Sequence, residues 1–115
     1  MSIDPKMTLL NTNAEVLLSL GYNPRVKVAP RRIDFSLVFP NEQKRAEAIP
    51  CIIDAGFDCE ISEDGVDPDW PEADAHKFLT PSAEAITDAE FELDELLLSF
   101  GGRTDGWGFF GDTKH

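Results

Sequence analysis

A helix that must stop at Gly101, followed at once by a strand that must hold two more glycines, constrains this chain most. Ile86, Leu93, Leu96, Leu97 and Phe100 share one helical stripe. The run Gly101-Gly102-Arg103-Thr104-Asp105-Gly106-Trp107-Gly108 comes directly after it. Glycine past the last periodic residue is the common C-terminal stop. Upstream, Thr87-Asp88-Ala89-Glu90 matches a capping box, which starts the helix at Thr87 with Glu90 reaching back to it. Residues 103–110 then read as a last strand. Glycines on both sides of Trp107 let the indole or a neighbouring backbone approach closely. Asp105 is placed to bond nearby turn amides. The run is no phosphate loop, because it lacks the lysine with serine or threonine and follows a helix instead of opening one.

The rest of the chain supplies partners for that last strand. Residues 1–10 read as a loose lead-in with Pro5. Asn11, Thr12 or Asn13 caps a short helix through Val16, Leu17, Leu18 and Leu20, and Gly21 stops it. Residues 22–31, with Pro24 and Pro30, form a connection. Over residues 32–39, Ile33, Phe35, Leu37 and Phe39 share one face and Arg32, Asp34 and Ser36 the other, the pattern of a half-buried strand. Asn41 caps a helix carrying Ala46, Ile49, Ile52 and Ile53, which ends at Gly56. Pro50 should kink that helix or split it in two. Residues 57–61 alternate as a second strand. Residues 62–75 read as an acidic loop, and a third strand around Lys77-Phe78-Leu79 is cut short by Pro81.

This order predicts an α+β fold, a ferredoxin-like two-layer sandwich (βαββαβ) with an N-terminal helical extension. Residues 1–31 form the helix and connection, and residues 32–115 the sandwich. A single domain of 115 residues with 42% hydrophobic content can bury a core without disulfides. Cys51 and Cys59 form no disulfide framework, which suits a reducing, cytoplasmic setting. No apolar run approaches the roughly 18–20 residues needed to span a membrane. Residues 1–8 lack the pattern of a signal peptide.

Charge narrows the function. Residues 1–45 carry a net of +3, whereas residues 46–102 hold sixteen acids against Lys77 alone, a net of −15. The only basic cluster is Arg25, Lys27, Arg31 and Arg32, followed by Lys44 and Arg45. A nucleic-acid binder needs a basic footprint, so direct nucleic-acid contact is set aside. An acidic surface instead steers a basic protein. Asp67, Asp69, Glu72 and Asp74 surround Trp70, an indole that either pins the loop or anchors a partner. These five residues are the candidate partner-binding set.

Other chemistry finds no support. The acids of residues 58–74 do not follow calcium-loop spacing, and Pro68 and Pro71 stiffen the segment. No cysteine and histidine set has zinc spacing. His76 is the only interior histidine, and no nucleophile motif is present. The expectation is a non-enzyme without metal or cofactor.

The segment from Phe100 through Asp105-Gly106-Trp107-Gly108 resembles the C-terminal signature of the RraB family, the regulators of ribonuclease E activity B. The resemblance extends in pattern over roughly residues 30–110. Gly102, Asp105, Gly106, Trp107 and Gly108 carry it, in a mainly structural role. It implies a ferredoxin-like domain that inhibits ribonuclease E by direct protein contact and is not itself a catalyst. The partner expected is therefore a basic protein, with ribonuclease E the specific candidate. Two alternatives remain open: an immunity-type inhibitor of a basic toxin nuclease, and a small-molecule-binding domain on the open sheet face near His76.

Overall fold

The computed structural model describes residues 4–22, 28–62 and 69–109. Its elements are helix α1 (Pro5–Ser19), strand β1 (Arg31–Val38), helix α2 (Glu42–Asp54), strands β2 (Asp58–Ser62) and β3 (Glu72–Leu79), helix α3 (Ala83–Leu97), a 3₁₀ turn (Leu98–Phe100) and strand β4 (Arg103–Phe109). The strands form one antiparallel sheet in the order β2-β3-β1-β4. The molecule is thus α+β, with three helices and a four-stranded sheet.

The alternation of β1 sets the core. Ile33, Phe35, Leu37 and Phe39 are fully buried against Ala48 and Ile52 of α2 and Ile86, Leu93 and Leu97 of α3. Ala73 and Ala75 of β3 lie opposite Leu37 and Phe35, and Trp107 of β4 lies opposite Phe35 on the other side. Leu17 of α1 joins the same cluster. The alternate residues of the sheet face away from the helices.

Several boundaries differ from expectation. Helix α1 begins at Pro5, not after Asn11: the Asp4 side chain accepts from the Lys6 amide, and proline occupies the first turn. Proline suits that position because its missing N–H would be unpaired anyway. Asn13 is therefore a mid-helix residue. Helix α2 has the expected Asn41 cap, which accepts from the Lys44 amide at 2.8 Å. It runs in one piece through Pro50, which is exposed while Ala48 and Ile52 anchor either side of it. Helix α3 starts at Ala83, because Ser82 accepts from the Ala85 amide at 3.1 Å. The capping box at Thr87 is not formed. Strand β3 starts at Glu72, so it takes the end of the expected acidic loop into the sheet. Phe110 lies outside the described residues.

Two glycines of the final run have definite causes. Pairing of β4 with β1 slips between Phe35 and Leu37, and Gly106, at φ +98°, sits in that bulge. Such a φ suits glycine because other residues clash there. Gly102 is held by close approach: an added Cβ would lie 2.9 Å from Phe39 Cδ1 and 3.0 Å from the Val38 carbonyl oxygen. Gly102→Ala should therefore lose about 1–3 kcal/mol of unfolding free energy, the usual range for overpacking. Urea denaturation measures this, and a wild-type midpoint would show that β4 tolerates the added methyl group.

Candidate functional site

Strand β3 divides the candidate partner residues by alternation. Ala73 and Ala75 point into the core, which turns Glu72 and Asp74 onto the face without helices. Asp69 and Trp70 precede the strand and are exposed, Trp70 at 40%. That exposure suits a contact anchor better than a side chain pinned to the sheet. Asp67 lies outside the described residues.

Pairing register adds acids that their sequence positions do not bring together. Glu60 of β2 lies directly opposite Asp74, Ser62 opposite Glu72, and Asp58 opposite His76. On the other side His76 lies opposite Asp34 of β1. One face of three adjacent strands thus carries the exposed Asp58 and Glu60, the half-buried Glu72 and Asp74, and the buried Asp34. Part of this charge is answered locally. Arg32 Nε donates to Asp34 Oδ1 at 2.9 Å, and His76 Nε2 lies 3.4 Å from Asp58 Oδ2. Glu60 and Asp74 are like charges on residues directly opposite in the ladder, and like charges so placed repel. Burial, reinforced by Asp74 and Glu60, pushes the neighbouring Cys59 thiol up to about 11. It stays protonated at neutral pH, so it supplies no thiolate nucleophile.

A shallow hollow lies on the sheet beside His76, lined by Pro30, Arg31, Arg32, His76 and Phe78. His76 Nδ1 is buried at its edge without a hydrogen-bond partner. Among the described residues, no group of three or more His, Cys, Asp or Glu side chains is arranged to hold a metal ion.

The glycine-flanked tryptophan belongs to a different construction. Trp107 Nε1 donates to Asn13 Oδ1 at 2.9 Å, and Asn13 Nδ2 donates to Thr87 Oγ1 at 2.9 Å and Glu90 Oε1 at 2.8 Å. All four side chains are buried. Indole can only donate, so it fixes which end of the Asn13 amide faces β4 and which faces α3. Trp107 also packs edge-on against Phe109. Close by, the Thr104 amide and hydroxyl both donate to Asp94 of α3 at 2.9 Å. Sequence reasoning singled out Thr87, Glu90, Asn13 and Trp107, but gave the first three capping roles. Their three-to-four-residue and long-range spacing carried no sign of a shared cluster. Asp105 is exposed on the bulged strand, and Gly108 is buried opposite Asp34.

Residues 11–109 match the model of a protein family described as RraB, regulator of ribonuclease activity B. The match runs from within α1 to the end of β4 and includes all four residues of the buried network. No curated protein matches the chain. No helix among the described residues is long and apolar enough to cross a membrane.

The network has two measurable consequences. Removing the Asn13 amide strands the Trp107 N–H, the Thr87 hydroxyl and Glu90, at about 1–3 kcal/mol for each buried group left unpaired. Asn13→Ala should therefore destabilise the protein more than Trp107→Phe, which strands only the Asn13 carbonyl. Chemical denaturation ranks the two, and the reverse order would remove Asn13 from the centre of the network. Burial raises the Glu90 pKa, with Asp94 adding to the rise and the Asn13 hydrogen bond opposing it. The folded state therefore binds this proton more tightly than the unfolded chain, whose glutamate titrates near about 4.3. Stability from Glu90 is greatest below that value and declines as pH rises through it toward the raised folded pKa. Glu90→Gln should remove this component. The stability of wild type relative to Glu90→Gln should fall between acidic and neutral pH, and a constant difference would refute the assignment.

Proposed function

The chain belongs to the RraB family, the regulators of ribonuclease activity, and we propose that it regulates a ribonuclease by direct protein contact through its acidic sheet face. The observation that carries this reading is the gathering of carboxylates from β2 and β3, with Glu60 directly opposite Asp74, on a sheet face that no helix among the described residues covers. Asp58, Glu60, Glu72 and Asp74 of β2 and β3 create a field that repels RNA and attracts a basic protein segment. Trp70, exposed just before β3, supplies an apolar anchor beside that field. The protein partner is a basic segment of ribonuclease E, in keeping with the resemblance of the final strand. Regulation then needs no catalytic group, cofactor or RNA contact of its own, and it takes place in the cytoplasm. We read the sandwich as ferredoxin-like, its two layers leaving one sheet face for this work.

The immunity-type alternative uses the same acidic surface and has no separate observation in its favour. The small-molecule alternative rests on the hollow beside His76, which is shallow and open.

Binding to purified ribonuclease E and inhibition of its RNA cleavage test the reading together. Raising salt from about 0.1 M to about 1 M shortens the Debye length from roughly 10 Å to roughly 3 Å. Affinity should fall steeply over that range. Neutralising Asp67, Asp69, Glu72 and Asp74 together should weaken binding and inhibition while the fold persists. Equal affinity at both salts, or full inhibition by the neutralised variant, would rule out contact driven by this face.

A further inference from the structure

We propose that the outer edge of β2 is a strand-addition site for an extended protein segment in which basic residues alternate with apolar ones. The proposal rests on the protein-contact reading above and names the mode of contact and the chemistry of the partner.

The two outer strands of the sheet are built differently. At one side, β4 carries the bulge at Gly106 and is tied through Trp107 to α1 and through Thr104 to α3. A bulged, anchored edge is a poor template for another strand. At the other side, β2 pairs regularly with β3 over all five residues. Among the described elements, nothing pairs with its outer edge. Its sequence Asp58-Cys59-Glu60-Ile61-Ser62 holds no proline and no lysine, two common devices for blocking edges.

The side chains of β2 specify what can pair there. Asp58 and Glu60 project on the helix-free face, both exposed. Cys59 and Ile61 project on the other, and Ile61 remains 49% exposed, an apolar surface at the very margin of the core. A neighbouring strand places its residues directly opposite these, with Cβ atoms about 4.5–5.5 Å away. Cations in the partner would therefore meet Asp58 and Glu60, and apolar residues would meet Cys59 and Ile61. The cations would also lie near Asp74, relieving its opposition to Glu60.

The same arrangement disfavours a second copy of this chain. Antiparallel pairing of two β2 strands centred on Glu60 sets Glu60 against Glu60, and a slip of two residues toward the start of the strand sets Asp58 against Glu60. Parallel pairing in register sets Asp58 against Asp58 and Glu60 against Glu60. Like charges directly opposite are destabilising. The carboxylates thus replace lysine as an edge guard, with a sign that admits a basic strand.

The experiment uses the full chain and synthetic peptides of about seven residues, a typical strand length. One alternates lysine with valine, a second has the same composition scrambled, and a third alternates glutamate with valine. The lysine–valine peptide should bind at least about tenfold tighter than the scrambled one, and it should slow hydrogen exchange of β2 amides. Asp58→Lys with Glu60→Lys should transfer the preference to the glutamate–valine peptide, with unchanged circular dichroism. Equal binding of the alternating and scrambled peptides, protection confined to other strands, or a concentration-dependent dimer through β2 would overturn the proposal. The same double variant is then measured against ribonuclease E. Wild-type affinity in the variant overturns the edge site and leaves the regulatory reading intact. Peptide selectivity without any ribonuclease E binding by wild type supports the edge site and removes that reading.

Discussion

The Asn13 side chain is the point at which three elements become one structure. Its carbonyl must face Trp107, which offers only an N–H, and its amide nitrogen then serves the Thr87 hydroxyl and the Glu90 carboxylate. Aspartate cannot donate twice, and an apolar residue cannot donate or accept. An asparagine is therefore matched to this pocket atom by atom. The dependence is heavy because α1 buries little else. Leu17 is its only fully buried apolar residue, so polar complementarity shares the task of holding a fifteen-residue helix against the fold. A network of this kind is specific as well as stabilising, since any shift of α1 by one residue strands every member.

That node also distributes order across the sheet. Trp107 fixes β4, and the bulge at Gly106 lets β4 follow β1 while aiming Trp107 and Phe109 inward. Arg31 stacks over Phe109 and donates to the Tyr22 hydroxyl, which ties the residue after α1 and the start of β1 to β4. The β4 side of the molecule is consequently interlocked through side chains. The β2 side is held chiefly by its ladder with β3 and by α2 behind it. Among the described residues, one margin of the sheet is interlocked and no strand lies beyond the other, toward which the acids lie.

Strong, local signals were legible in the sequence, whereas features that depend on pairing were not. The alternation of β1, the Asn41 cap and the stop at Gly101 each involve residues a few positions apart, so they could be read directly. The first half of β3 was missed because its inward positions are Ala73 and Ala75. Phe35 and Leu37 fill the space opposite them, which leaves room only for small side chains and erases the usual β signal. The start of α1 was missed because residues 1–10 read as a loose lead-in, when Pro5 in the first turn is a helix residue. Thr87 and Glu90 fit a capping box by spacing alone, but Ser82 caps the helix one turn earlier and frees both for Asn13. Two carboxylates of the acidic face were visible in Glu72 and Asp74. Asp58, Glu60 and Asp34 joined it only through register, which a single sequence does not encode locally.

The acidic face has a thermodynamic consequence that the buried network makes tolerable. Like charges set directly opposite, as on Glu60 and Asp74, oppose folding. A cationic partner that binds only the folded chain would weaken that opposition, and by linkage it would stabilise the fold to the extent that it is bound. Such an arrangement can persist only if the remaining structure holds the strands in place meanwhile. The Asn13 network, the Thr104–Asp94 contacts and the dense core under β1 do so from the opposite face. In the proposed mode of contact, the buried polar network lies on the side of the sheet away from the partner, and the opposed carboxylates lie on the side it approaches.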